Sequence, residues 1–113
     1  MSAPQHILAF EKANRIRIER AALRKQIKAG DLDVGAVLSD PPECVLRMRV
    51  YDLLVWQRNW GDSKASSLLW RCHISYGRRL GELTARQHGE LVSLFASAEE
   101  QSFARRAPRE MRA

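Results

Sequence analysis

The stretch Val50-Tyr-Asp-Leu-Leu-Val-Trp-Gln-Arg-Asn-Trp-Gly-Asp-Ser-Lys-Ala-Ser-Ser-Leu-Leu-Trp-Arg-Cys72 constrains the fold more than any other. Val50, Leu53 and Leu54 recur at i, i+3, i+4, one apolar face of a helix. Ala65, Leu68, Leu69 and Cys72 recur at i, i+3, i+4, i+7, a matching face on a second helix. Between them lies a tight turn at Asn59-Trp60-Gly61-Asp62. Gly61 offers it a backbone that takes positive φ, and Asp62 or Ser63 is placed to cap the second helix. A helix N-terminus behind such a turn presents free N–H groups and the positive end of the dipole, which suits a phosphate. Lys64 stands in that first turn, where it opposes the dipole and invites an anion.

The remaining chain reads as helices. Ser2-Ala-Pro-Gln5 fits a capping box with Pro4 in the first turn. No breaker follows until Gly30, which is placed as a C-terminal cap, so one long helix is expected. Glu11, Arg15 and Glu19 alternate in charge on its solvent side. Ala9, Ala13, Ile16, Leu23 and Ile27 form a thin apolar stripe, strongest in the C-terminal half. The first turns are therefore expected to project from the globule or to order with a partner. Arg17, Arg20, Arg24 and Lys28 make a second, basic stripe. It suits either a rim whose stems cover the core edge or a rail along a phosphate backbone.

A short helix follows, capped by Asp31 or Asp33, with Leu32, Val34, Val37 and Leu38 as core candidates. Ser39-Asp-Pro-Pro42 stops it, and Pro41 or Pro42 opens a short turn through Glu43-Cys-Val-Leu46. Trp56 and Trp60 flank the central turn, where packing is the usual role for Trp. Ile74-Ser-Tyr-Gly-Arg-Arg-Leu-Gly81 reads as tight turns with a basic tip at Arg78-Arg79. Thr84-Ala-Arg-Gln87 is a capping box for a last helix that buries Leu91, Leu94, Phe95 and Ala98. Arg86 lies in its first turn. From residue 101 onward the chain is basic and poor in apolar residues, the composition of a disordered tail.

At 113 residues this is one modest domain, and its net charge of +6 points to a polyanionic partner. Cys44 and Cys72 belong to no CxxC pair. Cys72-His73 are neighbours that point apart on a helix, so no metal site is expected. No apolar run is long enough for a membrane span, and the N-terminus lacks signal-peptide character; a cytoplasmic protein is expected. No catalytic constellation, P-loop or dinucleotide fingerprint is present. A binding protein without cofactor or small-molecule substrate is the expectation.

The pattern looks like a helix–two-turn–helix module and resembles the actinobacterial integration host factor family. The matching pieces are Leu-Arg-Lys-Gln-Ile-Lys-Ala-Gly-Asp-Leu-Asp-Val-Gly-Ala-Val from Leu23 to Val37, and Met-Arg-Val-Tyr-Asp-Leu-Leu from Met48 to Leu54. Gly-Asp-Ser-Lys-Ala from Gly61, Ile74-Ser75 and Arg-Arg-Leu-Gly-Glu-Leu-Thr-Ala-Arg-Gln from Arg78 to Gln87 complete them. The resemblance covers roughly Arg20 to Phe95. It implies an all-α fold with a long N-terminal helix and a compact helical domain. It also implies nucleoid-associated binding of double-stranded DNA with little sequence preference, bending or constraining it. Carried over, Gly61, Ser63 and Lys64 would meet phosphates, and Arg78, Arg79 and Arg86 would contact the backbone or the minor groove. Arg58 beside the turn joins this set, and Arg17, Arg20, Arg24 and Lys28 are secondary contacts. Trp60 and Asp62 depart from the family, whose turn is small, apolar and basic there. Asp62 puts a negative charge at the phosphate site unless it turns away as the cap.

The same module occurs in formamidopyrimidine-type DNA glycosylases and a small-subunit ribosomal protein. Position 2 is not the glycosylase proline, and no zinc finger is present, so the enzyme reading is rejected. The expected organisation is a partly projecting segment 1–22, a DNA-binding domain 23–100 and a tail 101–113, in a monomer of the nucleoid. Two rivals remain: an adaptor that docks its first helix in a partner groove, and binding of structured RNA.

Overall fold

The computed structural model describes the backbone of residues 5–106, and the side chains of residues 8–101. The capping box at Ser2 lies outside the described residues. Among them are five α-helices: α1 (Gln5–Ala29), α2 (Val34–Ser39), α3 (Val50–Leu54), α4 (Asp62–Arg71) and α5 (Ala85–Arg106). Two 3-10 turns, Glu43–Val45 and Leu80–Glu82, join them. The all-α expectation holds, with the long helix first.

α1 ends as the sequence predicts. Gly30 takes φ 84°, and the amides of Gly30 and Asp31 donate to Ile27 O (3.1 Å) and Gln26 O (2.9 Å). That pair of bonds is a Schellman cap, which satisfies two of the last carbonyls. The apolar contacts of α1 with the core run from Ile16 onward. Ile27 is buried and Ile16 and Leu23 pack on the core edge, while Ala9 and Ala13 are exposed. Lys12 pairs with Glu43 at 3.0 Å, and that hydrogen bond holds the Glu43 carboxyl below its ordinary range.

Of the two aspartates offered as cap for α2, Asp33 is used, its carboxylate accepting from Gly35 N at 2.5 Å. Pro42 precedes the first 3-10 turn. The core gathers Val34, Val37 and Leu38 of α2, Val50, Leu53 and Leu54 of α3, Ala65, Leu68 and Leu69 of α4, and Leu91 and Phe95 of α5. Leu94 and Ala98 pack at its margin. Thr84 and Gln87 close the reciprocal capping box, both bonds being 3.1 Å long. α5 then runs to Arg106, past position 101 where a tail was expected to begin. Helix-forming Glu99, Glu100 and Gln101, together with the anchoring of Glu99 to the core edge, favour that continuation. Residues 107–113 lie outside the described residues.

Gly30 is the glycine whose backbone a side chain strains. Gly30→Ala should lower the stability of the protein by about 1 kcal/mol in a denaturant titration, with the far-ultraviolet circular dichroism unchanged.

Candidate nucleic-acid interface

Two turns flank α4, and each is pinned to the core. In the first, Trp60 is buried and stacks on Phe95, ring centroids 4.8 Å apart. Its indole N–H donates to the Glu99 carboxylate, which also accepts from Gln57 Nε2 at 3.1 Å. Gln57 Oε1 in turn accepts from Val34 N (3.0 Å), tying the turn to the start of α2. Trp60, a departure from the family pattern, is therefore a core residue, and Trp56 is half-buried.

The backbone of this turn differs from the expectation. Asn59, not Gly61, takes the left-handed conformation, with φ 68°. Asn tolerates that region because its short polar side chain bonds locally. Gly61 is the N-cap of α4 at φ −110°, and neither Asp62 nor Ser63 caps with its side chain. Asp62 instead accepts from Tyr51 Oη at 2.7 Å, with Ser66 Oγ at 3.4 Å. Its charge is held at the α3 side of the helix rather than over the N-terminus. A Cβ at Gly61 would meet nothing within 4 Å, so the approach to this helix end is open.

The second turn begins with His73 at φ 57°, where the amides of His73 and Ile74 cap α4 onto Trp70 O (3.2 Å) and Leu69 O (2.9 Å). Cys72 is buried while His73 is exposed, so the adjacent pair does point apart. The chain then turns through Ser75–Arg78 and runs antiparallel to the segment before α3. Val50 N donates to Arg78 O (3.1 Å), Leu80 N to Met48 O (2.9 Å) and Gly81 N to Leu46 O (2.8 Å). This pairing sets Arg49 opposite Arg79.

A surface chain of side chains links the two turns. The Arg49 guanidinium grips Asp52 through Nε (2.9 Å) and Nη2 (3.0 Å) and lies 4.7 Å over the Tyr76 ring. Tyr76 packs on Tyr51 at 4.6 Å, and Tyr51 holds Asp62. The bond to Asp62, with desolvation second, pushes the Tyr51 phenol up to about 12. Sequence reasoning missed Arg49, Tyr51 and Tyr76 as partners. Arg49–Asp52 is an i, i+3 pair, but the contacts of Tyr51 with Asp62 and of Tyr76 with Tyr51 and Arg49 join segments that no helical period relates.

The predicted site residues fall into separate groups. Arg78 and Arg79 are exposed beside Arg49, with Glu82 reaching Arg78 Nη1 (4.0 Å) and the Arg79 amide (3.2 Å). Gly61 and Ser63 are exposed at the α4 N-terminus. Lys64 turns to the other flank of α4, its ammonium 5.1 Å over the Trp60 ring. Arg86, paired with Glu90 at 3.2 Å, lines a groove of about 790 Å³ with Arg71 and His73 between α4 and α5. Arg71 also borders Lys64 along the same flank. Arg58 stands apart, near Gly30 and in a cleft with Asp31 and Asp33. On α1, Arg20 donates to Cys44 O and Lys28 to Val55 O (3.4 Å), while Arg17 and Arg24 are exposed.

A phenol raised by an acceptor loses that bond when it ionises. The contribution of the Tyr51–Asp62 bond is complete below the ordinary value of 10.0 and disappears as pH rises through about 12. In a spectrophotometric titration Tyr51 should ionise at about 12, and Asp62→Asn should bring it back toward the ordinary range.

No protein-family model matches the chain. The integration host factor of Mycobacterium tuberculosis (strain ATCC 25618 / H37Rv) is 34% identical over 96 residues, spanning 83% of this chain and 91% of that protein. A solved structure of sIHF bound to an 8-bp palindromic DNA superposes with a TM-score of 0.60 at 27% identity, covering 80% of this chain and 97% of the other. The long first helix, the two pinned turns about α4 and these two likenesses converge: the chain belongs to the actinobacterial integration host factor family.

Proposed function

We propose that this chain binds double-stranded DNA with little sequence preference, through the phosphate backbone and the minor groove, and thereby bends or constrains it in the nucleoid. The observation that carries this reading is the backbone pairing that sets Arg78 and Arg79 beside Arg49, on the edge that Tyr76 and Tyr51 link to the open N-terminus of α4. With Asp62 drawn onto Tyr51, Gly61 and Ser63 offer unobstructed donors to a phosphate. The surface carboxylates beside Arg78 and Arg86 are weak competitors, since exposed ion pairs contribute little. Lys64, Arg86 and Arg58 extend the contact in this reading, and Arg17, Arg20, Arg24 and Lys28 add a second basic strip. The organisation that goes with it is a binding domain over 23–100, carried by a monomer.

The likenesses support the same partner: the relative carries the name integration host factor, and the structural neighbour was solved on DNA. The adaptor reading draws less support. Leu8, Phe10 and Ile18 are exposed on α1, but at about 100° per residue they spread over roughly 160° of the helix, too wide for one narrow docking stripe.

Replacing both Arg78 and Arg79 with Ala should weaken binding of a random-sequence duplex across all sequences. It should also reduce the slope of log affinity against log salt by about 2, roughly one per lost phosphate contact. Fluorescence anisotropy over a salt series measures both. An unchanged slope would remove these two arginines from the interface.

A further inference from the structure

Trp70 is the one large apolar side chain of α4 that the fold leaves outside, 80% exposed. Its surroundings on the helix are specific. Ala65, Leu68 and Leu69 face the core. Asp62 and Ser66 reach the α3 side through Tyr51, and Lys64 and Arg71 border α5. At about 100° per residue the outward arc is left to Ser63, Ser67 and Trp70, with Ser66 at its α3 edge. All four are exposed. Among the described residues the ring contacts join Trp60 to Phe95 and Tyr51 to Tyr76, and Trp70 takes part in none.

The chemistry of this face suits a duplex better than another protein or a lipid surface. Three small side chains let a polyanion backbone come close, and the hydroxyls of Ser63 and Ser67 are placed to donate to it. Arg71 follows Trp70 directly and shares a flank with Lys64, so the face is bordered by cations. The acidic residue of α4, Asp62, is held away on Tyr51. A flat indole beside them supplies what the arginines lack, an apolar plate for a deoxyribose face or for base edges in the minor groove. From Ser63 to Trp70 the helix rises about 10 Å, enough to carry contacts from one backbone across to the groove floor.

We infer that the outward face of α4 is a contact surface for duplex DNA, with Trp70 as its apolar anchor and Ser63 and Ser67 on the phosphates. This rests on the DNA-binding reading above and extends the interface from the two turns along the whole helix.

The test uses the full chain, a labelled random-sequence duplex and a salt series. Trp70→Ala should bind roughly ten-fold more weakly at every salt concentration, with the salt slope unchanged, because an indole displaces no counterions. Trp70→Phe should recover most of the loss. Unlabelled duplex should alter the tryptophan emission of the parent protein and leave that of Trp70→Ala nearly unchanged. Both variants should unfold at the parent temperature. Parent-like affinity in Trp70→Ala, alongside a weakened Arg78→Ala/Arg79→Ala protein, would overturn the anchor and leave the DNA reading standing. Sedimentation showing that the parent self-associates through Trp70, and that dissociation accounts for the lost affinity, would also overturn it. No binding by the parent protein at low salt would remove the DNA reading itself.

Discussion

The short antiparallel pairing of residues 46–50 with 78–81 is the constraint on which the rest of the site depends. Its bonds lie among buried side chains, Val50 at 0% and Leu80 at 4% exposure, where unpaired amides are costly. Gly81 makes the approach feasible, since a Cβ there would stand 3.0 Å from Leu46 O. The pairing returns the chain after α4 to the start of α3, so the two turns at opposite ends of α4 belong to one surface. Without it the α4–α5 connection would be an ordinary loop, and Arg78 and Arg79 would have no fixed relation to α4.

The electrostatics of that surface follow from placement more than from net charge. Asp62 would oppose an anion if it pointed along the helix axis, yet it would also favour the dipole as any N-terminal carboxylate does. Tyr51 resolves the conflict by taking the carboxylate sideways at 2.7 Å. The carboxylate stays near enough to the first turn to favour the helix and leaves the outward side of Gly61 clear. Tyr51 is itself steadied by Tyr76, over which Arg49 lies, clamped by Asp52. Asp52 and Asp62 thus act as struts, each fixing an aromatic or a guanidinium beside the basic tip.

What was legible in the sequence was local. The Gly30 cap, the Thr84–Gln87 box, an aspartate cap for α2 (with Asp31 and Asp33 both open) and the proline stop after α2 each depend on residues within about five positions of one another. The periodic apolar faces of α3, α4 and α5 were legible for the same reason. The site was legible only in part. That Gly61 rather than Asn59 would take positive φ was the natural reading of an Asn-Trp-Gly-Asp turn. With Trp60 buried against Phe95, the left-handed residue is instead Asn59, two positions earlier. The Tyr51–Asp62 bond and the 46–50/78–81 pairing depend on tertiary approach, which no sequence period encodes.

The basic stripe of α1 shows why two readings of a charged row need not compete. Arg20 and Lys28 donate to the carbonyls of Cys44 and Val55, so their stems lie on the domain edge and fix the rotation of α1. A neutral carbonyl leaves the charge of its donor in place, unlike the carboxylate of Glu43, which offsets Lys12. The pins therefore orient the helix without spending its positive field. Arg17 and Arg24 remain exposed on the same arc, held at a set spacing by pinned neighbours. A row of cations whose register is fixed by hydrogen bonds to the domain loses less side-chain and helix freedom on meeting a polyanion than one on a loose helix. On that ground the pinned rim is compatible with the rail proposed for this stripe, rather than a rival to it.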